Sequence, residues 1–172
     1  MTNAKVRTID KTAQTMEEKL NTLRAGVLGS NDGILTVVGV LVSVAAATSN
    51  EFTIFIAGLS DLLACAFSMA AGEYASVSAQ KETEKAAVAK EAKLLKTAWT
   101  EQVAAVKAHY VAKGVHEQTA AAIAADLMQK KPLATVVRIK YDIELGHYLN
   151  PWDAAYASLF AAALGGLLPL MA

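Results

Sequence analysis

Residues 25–80 read AGVLGSNDGILTVVGVLVSVAAATSNEFTIFIAGLSDLLACAFSMAAGEYASVSAQ, and they hold no Lys or Arg in 56 positions. The turn-forming run Thr48-Ser49-Asn50-Glu51 divides the stretch into two apolar segments, 25–48 and 53–78. Each exceeds the roughly 20 residues a helix needs to cross a hydrocarbon core. Asp32 lies in the first segment, Asp61 and Glu73 in the second, and neither segment contains a basic residue to pair with them. A carboxylate inside a bilayer costs on the order of 3 kcal/mol or more and is kept for a pathway, a proton relay or a paired cation. A cation that comes and goes is the partner such a set of acids needs, which points to transport.

The rest of the chain fits this reading. Hydrophobic residues make up 54% of the 172, high for a water-soluble domain, and few of them are aromatic. Sixteen basic residues balance sixteen acidic ones, so there is no basic field to attract nucleic acid. The single cysteine, Cys65, excludes an internal disulfide. All sixteen Lys and Arg lie in two blocks, five in 1–24 and eleven in 81–150.

Residues 1–24 suit a short amphipathic leader at the interface. They are far longer than the n-region of a signal peptide, and the apolar run after them is too long for one. The block 81–150 reads as a helical insert. No Gly or Pro interrupts Lys81–Lys113, so one long helix is expected to continue the second span, with Trp99, Val103, Val106 and Tyr110 on an apolar face and Gly114 as its stop. A second helix is expected from about His116 to Lys130, and a third from Pro132 to Leu145 ending at Gly146. Asn150-Pro151 reads as N-cap and first-turn proline of a third apolar span, 151–172. The basic residues place leader and insert in the cytoplasm and the 49–52 turn on the opposite side. The expected fold is thus an all-α integral membrane protein, with three transmembrane helices and a cytoplasmic three-helix insert between the second and third.

Helical rise sets the depth of the acids. Asp32 is seven residues in from Ala25, roughly 10 Å from the cytoplasmic boundary, and Glu73, five before Ser78, is at roughly 8 Å on a span running the other way. The two are therefore expected at similar depth. Asp61, Cys65, Met69 and Glu73 follow one another at steps of four and share one helix face. Carboxylates mixed with a thioether suit Fe²⁺ or Mn²⁺ better than an alkali ion. Small residues around the acids (Gly26, Gly29, Gly33; Ser68, Ala70, Ala71, Gly72) permit close helix approach.

These residues also resemble a known family. Leu23-Arg24-Ala25-Gly26-Val27-Leu28-Gly29-Ser30-Asn31-Asp32-Gly33 resembles the first-span motif of the vacuolar iron transporter (VIT/CCC-type) family. The run from Ser68 through Met69, Gly72, Glu73 and Tyr74 to Gln80 looks like its second-span signature, and Asn150-Pro151-Trp152-Asp153-Ala154-Ala155 with Gly165-Gly166-Leu167-Leu168-Pro169 resembles its third span. The resemblance implies a homodimeric, five-span carrier, with no permanently bound cofactor, moving Fe²⁺ and often Mn²⁺ out of the cytosol in exchange for protons. It would lie in a cell inner membrane or a vacuolar-type membrane. Asp32 and Met69 match positions in the ion path at the dimer interface, Glu73 falls in the signature, and Asp61 falls where some members carry an acid. With the small-residue faces, the resemblance leads to the expectation that two copies pack through their first spans at Gly29 and Gly33.

The family's insert binds metal through glutamates and methionines, and here the sequence departs from the pattern. Glu91 and Glu144 keep acidic positions and Glu84 is a further candidate ligand, but Leu94, Gln102 and Ala105 stand where glutamates are expected. Met128 is the insert's sole methionine. The resemblance covers nearly all of this chain but about three fifths of a five-span member, so the expectation is either a truncated product or a fold completed by other chains. The alternative reading is a transport-inactive membrane protein serving as a helical interaction or metal-sensing module.

Overall fold

A computed structural model describes residues 16–172 as six α-helices. They are α1 (Met16–Ala45), α2 (Glu51–Thr97), α3 (Trp99–Ala112), α4 (Glu117–Lys130), α5 (Pro132–Tyr141) and α6 (Pro151–Leu170). Three segments, Lys19–Ala45, Glu51–Thr97 and Pro151–Leu170, are long and apolar enough to cross a membrane. The chain divides into two compact units, one built from the residues up to Val77 together with Asn150–Ala172, the other from Ser78–Leu149. Helix α2 contributes to both.

In the first unit α1 and α6 run side by side in the same direction, and glycines set how close they come. The backbone of Gly29 lies against Ser158, that of Gly33 against Ala162, and that of Gly165 against Ser30. A methyl group added at Gly33 would strike the Ala162 carbonyl, and one at Gly165 would strike the backbone of Ser30. With little hydrophobic force between helices in lipid, such backbone-to-backbone proximity is what holds two spans together. Helix α2 runs the opposite way. Its Leu62 approaches Gly166, and its Gly58 meets Leu41 of α1 and Leu170 of α6. At the other end Tyr74 of α2 packs on Trp152 of α6 with ring centroids 4.8 Å apart.

Helix α6 begins as its sequence dictates. The Asn150 side chain accepts the Trp152 N–H at 3.2 Å, and Pro151 occupies the first turn, where its missing N–H costs nothing. Asn50 opens α2 in the same manner, accepting the Thr53 N–H at 2.9 Å.

The second unit has its own small core. Val106 of α3, Ala124 and Met128 of α4 and Val136 of α5 are fully buried together, with Leu95, Val103, Tyr110 and Ile139 packed around them. Helix α3 stops at Gly114, whose φ of +87° is the left-handed conformation glycine adopts most easily. The N–H of Val115 bonds back to the Tyr110 carbonyl and that of Gly114 to the Val111 carbonyl, which satisfies the helix end.

One expectation gains detail and three need correction. Helix α1 is continuous from Met16 to Ala45, so residues 16–24 of the leader run straight into the first span, while 1–15 lie outside the described residues. The expected single helix through Lys113 breaks at Ala98, whose φ of −138° and ψ of 44° redirect the chain. Neighbouring bonds survive the break: Ala98 N–H still reaches the Leu94 carbonyl at 2.7 Å, and Gln102 N–H the Ala98 carbonyl at 3.1 Å. Trp99, expected on the apolar face with Val103, Val106 and Tyr110, is 46% exposed beside the core they join. Helix α5 ends at Tyr141, because Asp142 takes a left-handed conformation with φ 57°, and Gly146 lies in the following turn instead of capping the helix.

Candidate functional site

The stepped acids of the first unit lie on α1 and α2. The Cys65 thiol donates to Asp32 Oδ2 at 3.5 Å, so these two residues face one another across the α1–α2 contact. Asp32 is half-buried, and its backbone carbonyl accepts the Thr36 hydroxyl at 3.0 Å. Asp61, one turn from Cys65, is half-buried as a residue, yet its Oδ2 is fully buried and has no hydrogen-bond partner. Met69 and Glu73, one and two turns from Cys65 the other way, are half-buried.

This pairing corrects the expected depths. Glu73 lies eight residues from Cys65 along α2, about 12 Å of helical rise, so it is not level with Asp32. The Tyr74–Trp152 contact, together with the α1–α6 register, puts Glu73 near the level of Arg24 instead. The acids form a stepped row, with Glu73 at the end near Arg24, then Met69, then Asp32 with Cys65, then Asp61. Each step is about one helical turn, roughly 6 Å.

The small residues of α1 are also placed differently from expectation. Gly29 and Gly33 are buried against α6 of the same chain, so they are not free to bring two first spans together. The exposed apolar side chains of α1 include Leu20, Leu23, Val27, Leu35, Val38 and Val42.

The candidate ligands of the insert are not brought together. Glu84 accepts from Gln80 Nε2 at 2.9 Å, one turn away on α2. Glu144 is exposed in the turn after α5, where its backbone carbonyl accepts the His147 N–H at 3.2 Å. Glu91 is 1% exposed, with both oxygens engaged: Oε2 pairs with Lys140 Nζ at 2.9 Å, and Oε1 accepts from the Tyr141 hydroxyl at 2.9 Å. The same ammonium donates to Gln102 Oε1 at 2.7 Å. Donation to Glu91, with a smaller contribution from burial, holds the Tyr141 phenol above its usual range. The Met128 thioether is buried in the apolar core. Among the described residues, no three His, Cys, Asp or Glu side chains converge in a way that could hold a metal ion. The residues of the insert therefore do not fit the metal site that the resemblance implies there.

Lys140 and Tyr141 were missed as sequence candidates, although a signal exists. Glu91, Gln102 and Lys140 each stand four residues from a core residue (Leu95, Val106 and Val136), which puts a polar group on the buried face of each helix.

Comparison with known proteins identifies the family of the chain. The VIT family profile matches residues 23–172. The chain belongs to the VIT family. It is 34% identical over 149 residues to a vacuolar iron transporter of Acanthamoeba castellanii, covering 87% of this chain and 54% of that protein. It is 30% identical to vacuolar iron transporter homolog 2 of rice, covering 87% of this chain and 57% of that one. A shorter match, 43% over 65 residues, links it to vacuolar iron transporter homolog 3 of rice. The chain thus spans a little over half the length of the first two VIT relatives.

Proposed function

We propose that this chain forms part of a membrane transporter that moves Fe²⁺, and Mn²⁺ as well, out of the cytosol in exchange for protons. The observation that carries the proposal is the row Glu73, Met69, Asp32 and Asp61 on two membrane-length helices of a VIT-family chain, ending in a buried carboxylate oxygen without a partner. Buried polar atoms are almost always satisfied, so an orphaned carboxylate oxygen calls for a ligand. Single carboxylates one or two turns apart suit an ion in passage, which has to be released at each step. A carboxylate must shed its proton to take a metal, so loading the row releases protons and unloading takes them up. The Met69 sulfur, one turn from Glu73, favours the softer Fe²⁺ over Mg²⁺ or Ca²⁺.

In this arrangement the leader and insert face the cytoplasm, the Glu73 end of the row is the entrance, and the 49–52 turn lies on the far side. Two copies supply facing rows, meeting through the exposed apolar face of α1 and not through Gly29 and Gly33. The test is metal-dependent proton movement in proteoliposomes containing the complete assembly, followed with a pH-sensitive dye and Mn²⁺. Asp32→Asn keeps the side-chain shape and removes the charge. It should abolish coupled movement with little change in the yield of folded protein; transport at the unaltered rate would refute the reading.

A further inference from the structure

The buried group around Glu91 has a composition that bears on metal. It contains one carboxylate, one ammonium, one amide and one phenol, so its formal charge is zero without any ion. Glu91 is 1% exposed and Gln102 5%, while the Lys140 side chain is 29% exposed and Tyr141 40%, so water is kept from the carboxylate itself and reaches the group only from the α5 side. Three helices of the unit meet here, with Glu91 on α2, Gln102 on α3, and Lys140 and Tyr141 on α5.

We infer that Lys140 is the insert's own counter-cation, holding the place a divalent ion would need at Glu91, so that the insert folds without metal and takes none there. A divalent ion entering beside Lys140 would bring a net charge of +2 into a buried site with a single carboxylate, and desolvation opposes that strongly. Displacing the ammonium would leave Lys140 without its two acceptors. The neighbouring positions add no compensating charge: Gln102 is neutral, Leu94 and Ala105 are apolar, and Glu84 lies seven residues from Glu91 along α2, about 10 Å of helical rise. The Lys140 bridge from Glu91 to Gln102, with the Tyr141 bond beside it, spans three helices, which is the task a structural metal performs elsewhere.

The inference does not depend on the proposed transport, and its experiment separates the two. The full chain in detergent carries Asp32→Asn, so that this acid of the row is silent, and Trp152→Phe, so that Trp99 is the sole tryptophan and reports on the insert. Thermal melting by Trp99 fluorescence is compared in millimolar Mn²⁺ and in EDTA. The expected midpoints agree within about 1–2 °C, a shift too small for a specific ligand at saturating concentration.

Adding Lys140→Met leaves Glu91 buried and unpaired, and should lower the midpoint in EDTA by about 10 °C or more, with part of the loss regained in Mn²⁺. Adding Glu91→Gln to Lys140→Met should restore most of the midpoint in EDTA and remove the response to Mn²⁺. If Lys140→Met does not fold, the parent and the double variant still decide. A rise of several degrees in Mn²⁺ for the parent, abolished by Glu91→Gln, would overturn the inference, as would a Lys140→Met protein that melts like the parent.

Discussion

Two buried environments in this molecule hold acids in opposite ways. In the α1–α2–α6 unit, Asp61 keeps an unpartnered buried oxygen and Asp32 meets a thiol, with no basic residue in either helix segment to neutralise them. In the second unit Glu91 is more deeply buried, yet both of its oxygens are satisfied and its charge is cancelled by Lys140. A carboxylate supplied with its own cation is structure. One left without a cation, at a cost the bilayer makes large, is what the proposed transport would use.

The two units also differ in what holds them together. The membrane-length helices rely on backbone proximity at glycines, so the largest loss of stability should come from filling that seam. Gly33→Leu drives a side chain into the Ala162 carbonyl and should cost about 3 kcal/mol or more. The expected readout is loss of monodisperse protein in detergent. Gly39, which has no atom within 4 Å of an added methyl group, should accept Ala with no such effect. Equal tolerance at both positions would show that α1 and α6 do not meet as described.

A milder effect separates Tyr141 from Lys140 within the Glu91 group. Tyr141→Phe removes one bond to a charged acceptor while leaving Lys140 in place, and should lower the insert's melting midpoint by several degrees. Its pH dependence has a definite sign. The phenol's folded pKa is raised, so the stability it adds is fully present below the ordinary phenol range and is lost as pH rises through the raised value. The difference between Tyr141→Phe and the parent should therefore be constant at neutral pH and shrink at strongly alkaline pH. A difference that grows with alkalinity would contradict the bond to Glu91.

Sidedness should follow with no change in stability. Cysteines introduced at the exposed positions Ser49 and Thr97, in a Cys65→Ala background, should react with an impermeant thiol reagent from opposite faces of the membrane. Labelling from the same face would remove the insert from the side on which the row of acids is proposed to begin.

Much of this was legible in the sequence. The three membrane-length helices follow from apolar runs, α6 starts at Asn150-Pro151, and α3 stops at Gly114, because caps and glycine stops act through neighbouring residues. The break at Ala98 left no such mark, since it uses neither Gly nor Pro and keeps the flanking hydrogen bonds. The roles of Gly29 and Gly33 were misplaced because a small-residue face shows that something comes close without showing what. The level of Asp32 was misjudged because counting from each span's boundary treats both helices as starting at the same plane, whereas the Cys65 contact fixes the register directly. The Lys140–Glu91 pair joins residues 49 apart in sequence and depends on how three helices fold together.

The contrast between open and closed acids is tested most directly by metal binding to the full chain. Equilibrium binding of Mn²⁺ would be measured for the parent, Asp32→Asn and Glu91→Gln, each well below its melting temperature. The account predicts that Asp32→Asn loses most of the binding, by about tenfold or more in affinity, while Glu91→Gln binds as the parent does. Binding that survives Asp32→Asn and disappears with Glu91→Gln would contradict it.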